Sequence, residues 1–242
     1  YKEIDYIIQK DYLPESIPFK GRSFPYILNI TTGCPWNKLI RKSLIDEYQL
    51  QFMPLHRSND VYFIFMALAL AEKITVVQEV FVNYRQSGSS LQANNVKSPW
   101  DWYEALKALK LKFEELQIYE ELRSSFRNLA FGVGIYNLCS LKSGEAFCKV
   151  YERMKQEFFE EFDLTDFKEE ECYSYNSKKY EIYRNMMQCT AGEYLFLEVQ
   201  KLKQEKSYWV ARAKNAEKEN KNKNPKERLS SLAHKVMRKF GR

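Results

Sequence analysis

Leu39, Ile40, Leu44 and Ile45 recur at helical spacing and predict an amphipathic helix over 38–47, whereas 61–71 is apolar on every side. The second stretch therefore predicts a helix buried nearly all round. Two β-branched and aromatic runs follow, 74–77 and 80–84, separated by Gln78 and Glu79. They predict a short β pair, or one strand with a break. The polar run QSGSSLQANN closes that region as a loop. Ser98 before Pro99 reads as a capped helix start, with Asp101 adding an acid to the first turn. Helical spacing then predicts helices over 99–116, 119–138 and 144–162, with breaks at Gln117 and at the Ser-Gly after Lys142. An acidic loop is expected over 163–171 and a further helix over 177–189.

The ends of the chain read differently from its middle. A short helix is expected over 2–10, followed by an irregular connector carrying Pro14, Pro18, Gly21 and Pro25. From Glu193 the apolar residues Leu195, Val199, Leu202, Tyr208 and Trp209 thin into a run of Lys, Asn and Glu, which predicts a solvent-exposed helix or short coiled coil. Pro225 breaks it. Beyond, Leu229, Leu232, Val236, Met237 and Phe240 share one helical face opposite a basic one. Four parts are thus expected: 1–92, a helical subdomain over 93–190, an exposed or coiled-coil helix over 191–224, and a basic amphipathic tail over 225–242. No internal repeat is evident.

Composition supports a folded, mostly helical chain. Hydrophobic residues at 45% and aromatics at 15% are too rich for disorder, while only 8 Gly and 7 Pro in 242 residues argue against an all-β sandwich. The fold class expected is α+β, predominantly helical. Net charge is +6, but residues 201–242 carry 14 Lys and Arg against 4 Glu. That tail is +10 and the remainder −4, so the basicity is local and points to an anionic surface. A nucleic-acid reading rests on the tail alone and ranks third. Five cysteines, Cys34, Cys139, Cys148, Cys172 and Cys189, include no C-x-x-C pair, and no secretory signal or long apolar run appears. Reduced thiols in a cytoplasmic protein are the expectation, with the membrane's inner face a candidate location. The chain starts at Tyr1 without a Met, so a piece of a longer protein is expected.

The candidate chemistry lies between Cys34 and Leu91. The order there is a C-P-W-N-K-L turn, an amphipathic helix, the pair Asn59-Asp60, an apolar helix, the β runs, and then Y-R-Q-S-G-S-S from Tyr84. Over roughly 27–130 this resembles the acceptor half of a family 2 glycosyltransferase of the GT-A type, and its N-D form with LQANN is similar to a bacterial branch. The resemblance implies a partial GT-A acceptor subdomain over 1–92. It implies an inverting transfer of sugar from a nucleotide sugar to a hydroxyl of a glycan or glycolipid, serving polysaccharide biosynthesis.

By that resemblance Asp60 is the base that takes the acceptor's proton. Asp60 also opens the apolar helix, where an acid caps free N–H groups, a role that lowers its pKa. Trp36 either stacks on a sugar ring or anchors its turn to the core. Asn37 either caps the helix that follows, the reading preferred here, or joins Lys38 in holding substrate oxygens. Asn59 precedes the base. Arg85 with Ser89 and Ser90 suits a pyrophosphate leaving group, or is an ordinary surface loop. His56 and the second histidine do not cluster with carboxylates, so no metal site is expected in this chain. The family holds Mg²⁺ or Mn²⁺ through D-x-D, and no D-x-D occurs here. The donor-binding half that carries it is expected in a parent protein, outside this sequence. The tail 225–242 could lie on an anionic membrane and 191–224 could form a homo-oligomer. The competing class is a non-catalytic helical module that docks to a partner or membrane, with the N-D turn only a cap.

Overall fold

The computed structural model describes residues 10–77, 79, 81–82, 98–172 and 178–222. Among them run α1 (Lys42–Tyr48), α2 (Val61–Leu70), α3 (Asp101–Glu115), α4 (Tyr119–Cys139), α5 (Gly144–Arg153), α6 (Phe159–Glu161), α7 (Lys178–Gln188) and α8 (Ala191–Asn222). A π-helical turn, Met154–Phe158, joins α5 to α6. The chain divides into two compact units, Tyr1–Ala191 and Gly192–Arg242. The region read as 1–92 and the helical region read as 93–190 thus fold together in the first unit, where α2 packs on α3, α3 on α4 and α4 on α5. The predominantly helical class holds.

The first unit is built around apolar helix faces. In α2 every residue but Tyr62 and Leu68 is buried, as its unbroken apolar run requires. Trp102, Leu106, Leu109 and Phe113 line the buried side of α3, at helical spacing. Phe126, Phe131 and Leu138 do the same for α4. An aromatic cluster closes the centre: the Phe158 ring lies 4.9 Å from Phe162 and 5.6 Å from Trp102, both edge-on. Each such ring contributes about 1.5–3 kcal/mol by leaving water. Gly134 lets the π turn come close, since a Cβ there would meet Met154 Cε and Phe158 Cζ at 2.9 Å.

Three helix ends share one device. Gln49, Gln117 and Asp163 adopt φ of 48°, 57° and 55°. The next residue then reaches back five positions: Leu50 N–H to the Ile45 carbonyl, Ile118 to Phe113, and Leu164 to Phe159. These are Schellman closures made without glycine, and the apolar pair that accompanies each motif offsets the backbone cost. The break expected at Gln117 is there.

The connector before the site is tied down at both ends. Gly21 N–H donates to the Ala71 carbonyl at 2.8 Å, and a Cβ at Gly21 would sit 2.0 Å from the Leu68 carbonyl oxygen. Only glycine fits there. Leu28 N–H donates to Ser125 Oγ at 3.0 Å, and Asn29 Nδ2 donates to the Ser125 carbonyl at 3.2 Å.

Several local expectations are corrected. Of the β pair expected over 74–77 and 80–84, residues 78, 80 and 83–84 lie outside the described residues, and the described ones show one isolated antiparallel bridge, Phe19 with Ile74. Val77 and Phe81 are exposed, so among the described residues no sheet face is buried there to hold a ladder. The helix read over 38–47 begins only at Lys42, because Lys38 is held in the preceding turn. Leu39 is left fully exposed. Ser98 and Pro99 form a turn ahead of α3, whose N-cap is Trp100 without a side-chain bond. Trp102 Nε1 donates to the Pro99 carbonyl at 2.6 Å, which fixes that turn instead. The expected helix over 2–10 falls almost entirely outside the described residues.

Candidate functional site

The site forms where the turn 32–38 meets the start of α2. Lys38 N–H donates to the Pro35 carbonyl at 3.1 Å, so Pro35 through Lys38 make a β-turn with Trp36 and Asn37 at its corners. Gly33 brings this strand of chain onto α2, where a Cβ would meet the Phe65 ring at 3.2 Å and Val61 at 3.7 Å. The turn is thereby seated beside Asp60.

Lys38 organises the turn. Its ammonium donates to the Thr32 carbonyl at 2.7 Å, the Cys34 carbonyl at 2.9 Å and Asn37 Oδ1 at 2.8 Å, using all three of its protons. Burial pulls its pKa down to about 8, against the opposing pull of Cys34 and Asp60. Cys34 Sγ lies 2.7 Å from Thr32 Oγ1 and donates to Asn37 Oδ1 at 3.5 Å. Asn37 is therefore spent inside the turn. It does not cap α1, whose N-cap is Arg41 in an extended conformation.

Asp60 occupies the N-cap of α2, as its place before the apolar run requires, yet its carboxylate makes no regular N-cap bond deeper into the helix and is met by the N–H groups of Asp60 itself and Val61. Its backbone carbonyl accepts from Ile64 N–H at 2.9 Å. Burial raises the carboxyl pKa above the ordinary value, and the N–H groups of Asp60 and Val61 and the Lys38 ammonium pull less strongly the other way. The direction is the reverse of the one a capping role gives.

The approach to Asp60 is a tight turn. Met53 N–H donates to the Asn59 carbonyl at 3.0 Å, Val61 N–H to the Ser58 carbonyl at 3.2 Å, and Ser58 takes φ 54°. The Asn59 side chain is exposed, as is His56, while Arg57 between them is buried. Arg57 N–H donates to Asp101 Oδ2 at 2.8 Å and so pins the turn to α3.

Of the residues singled out from sequence, the fold brings Trp36, Asn37, Lys38, Asn59 and Asp60 to this one corner. Trp36 is 38% exposed, offering part of its ring to solvent. Arg85, Ser89 and Ser90 lie outside the described residues. Sequence reasoning missed Thr32, Cys34 and Asp101 as parts of the site. The T-T-G-C run beside P-W was the available signal for the first two; Asp101 gave none, since its partner is a backbone N–H 44 residues away. Two surface clefts, about 510 and 410 Å³, lie elsewhere, one around Lys110, Tyr119 and Asp163 and one around Lys107, Arg153 and Glu161. Neither includes a residue of the Asp60 corner.

Among the described residues no three His, Cys, Asp or Glu side chains gather as a metal would need. The corner itself does not fit Mg²⁺ or Mn²⁺, because its lone carboxylate faces an ammonium instead of further oxygen ligands. Among the described residues no helix is long and apolar enough to cross a membrane. Comparison of the chain with protein-family models, with curated proteins and with solved structures finds no match.

Proposed function

We propose that the chain is the acceptor-side portion of an inverting glycosyltransferase of the GT-A type, acting on a nucleotide sugar and a glycan or glycolipid hydroxyl. The observation that carries this reading is Asp60: a carboxylate with a raised pKa at the head of a buried helix, within reach of the charge of Lys38, which closes the turn carrying part-exposed Trp36. A carboxylate whose pKa burial has raised above the ordinary value suits a general base. In the transfer, the acceptor oxygen attacks the anomeric carbon as its proton passes to Asp60. The bond from that carbon to the nucleoside diphosphate breaks with its electron pair leaving on the phosphate oxygen. Trp36 would hold the apolar face of the acceptor ring. Lys38, already bonded three times, keeps the turn in shape and sets the charge next to the base. The donor, and a Mg²⁺ or Mn²⁺ ion with it, would be held by a D-x-D segment outside this sequence; that half, the Arg85 loop as a pyrophosphate clamp and a membrane contact through 225–242 are parts of the same proposal.

The test is nucleoside diphosphate release by the full reading frame from a panel of nucleotide sugars, with and without added acceptors. Asp60→Asn should cut kcat at least a hundredfold with KM for the donor little changed, and Trp36→Ala should raise KM for the acceptor. Full activity in Asp60→Asn would remove the base assignment. The second reading, a non-catalytic docking module, is favoured by one observation, the run of exposed apolar residues along α8.

A further inference from the structure

The second compact unit begins at Gly192, and α8 is its described element. A helix of 32 residues that exposes Leu195, Phe196, Val199, Leu202, Trp209 and Val210 would be poorly stable alone in water. Those residues are not scattered. Leu195, Leu202, Trp209 and Ala216 recur every seven positions, and Val199, Lys206 and Ala213 recur every seven positions four residues after the first three. That is a heptad with the first set at d and the second at a, carried over three repeats.

The flanking charges say what covers this seam. With Val199 at a, Glu198 and Arg212 fall at g, and Lys203 and Glu217 at e. In a parallel pair of identical helices each g residue meets the e residue five positions on in its partner. Glu198 then meets Lys203, Arg212 meets Glu217, and both pairs attract, twice each by symmetry. An antiparallel pair with full overlap brings Glu205 to Arg212 but sets Lys203 against Val210 and Glu217 against Phe196, so it makes one kind of attractive pair where the parallel pair makes two. Lys206, alone among the a positions in being charged, faces its own copy in the parallel pair, a like-charge contact that costs stability and that its long stem eases by carrying the ammonium out to the solvated rim. Glu198 holds Lys201 of its own helix at 3.2 Å and keeps a second oxygen for the partner.

We infer that α8 is a dimerisation helix, pairing with α8 of a second copy of this chain as a parallel two-stranded coiled coil in register. The inference stands apart from the sugar-transfer reading, since nothing in it uses Asp60. The pair covers the exposed Leu195, Val199, Leu202 and Trp209 side chains. It also brings two basic tails to one end of the coil.

Sedimentation equilibrium of the 242-residue chain tests this directly. The wild type should be a dimer whose dissociation constant rises on the order of a hundredfold in Leu202→Glu, and little in Leu197→Glu on the outer face. Glu198→Lys should weaken the dimer about threefold or more, and adding Lys203→Glu in the same chain should restore it. For orientation, Ala213→Cys under mild oxidation should yield a 213–213 disulfide peptide by mass spectrometry, because a positions face each other only in a parallel pair. A wild-type chain that stays monomeric, a dimer indifferent to Leu202→Glu, a charge reversal that the second substitution does not repair, or an absent 213–213 peptide would each overturn the inference. So would binding of α8 to anionic vesicles by a chain that remains monomeric in their absence.

Discussion

The backbone N–H of Arg57 donates to the carboxylate of Asp101 at 2.8 Å across 44 residues, joining the turn that leads into Asp60 to the first turn of α3. The contact does two things. It satisfies an N–H on a buried residue, and it places an acid at the positive end of α3. Asp101→Ala should therefore cost about 1–3 kcal/mol of stability by urea unfolding, the expense of stranding a buried donor. If the turn matters to the base, the same variant should lower activity of the whole enzyme more than its loss of stability explains.

Lys38 gives the molecule a pH signature. Its folded pKa of about 8 lies below the ordinary 10.5, so folding disfavours the charged form. The penalty is full below pH 8, fades as pH rises toward 10.5, and is gone above it. Relative to Lys38→Met, wild-type stability should climb across that window. Without the ammonium, however, the Thr32, Cys34 and Asn37 acceptors lose their donor, so the variant should be less stable than wild type near pH 9. Unfolding midpoints of the two proteins between pH 7 and 10.5 check both statements. Asp60 runs the other way in the acid range. Its raised carboxyl pKa contributes stability that is fully present below the ordinary value of 3.8 and is lost as pH climbs through the folded value.

Arg127 is a buried clamp. Its guanidinium gives one nitrogen to Asp166 at 2.6 Å and another to Glu171 at 2.7 Å, while it lies 5.1 Å from the Phe167 ring. Because the arginine itself is 97% buried, screening by water is slight on its side and partial on that of the acids. Arg127→Met should cost about 3–5 kcal/mol, and Arg127→Lys should recover only part of it, since a single nitrogen lacks the planar, widely set donors with which the guanidinium spans Asp166 and Glu171 and lies over Phe167. Thermal melts of the three proteins would rank them.

Glycines at two places should respond in opposite directions. Gly21→Ala forces a methyl within 2.0 Å of the Leu68 carbonyl oxygen, where backbone must move, and should destabilise by about 2 kcal/mol or more. Gly192→Ala meets nothing within 4 Å inside the first turn of α8 and should stabilise by roughly 0.5–1 kcal/mol. Unfolding free energies of the two single variants decide it.

How much of this was legible in the sequence depends on the range of the forces involved. Local rules placed α2, α3, α4, α5, α7 and α8 to within a few residues, because apolar spacing and the Ser143 and Gln117 signals act within a turn or two of their own chain. Ser143 does accept from Ala146 N–H at 3.3 Å as an N-cap. They failed over 38–47, where Lys38 prefers three carbonyl and amide oxygens of the turn behind it to a place in the helix. Over 74–77 the described residues show Ile74 paired with Phe19 in a single bridge. For the site, the residue order nominated Trp36, Lys38 and Asp60, but the ionisation of the last two is set by burial against α2 and by each other.

The chain's order of residues alone determined that it is a helical protein, which stretch is apolar all round, and which seven-residue rhythm marks α8. These follow from periodicity, which needs no neighbour to express itself. Only the tertiary structure decided that burial raises the Asp60 carboxyl pKa, that Asn37 serves Lys38 instead of α1, and that Asp101 reaches Arg57. Such choices compare hydrogen-bond partners and water access at points far apart in sequence, and that comparison exists only once the chain has closed on itself.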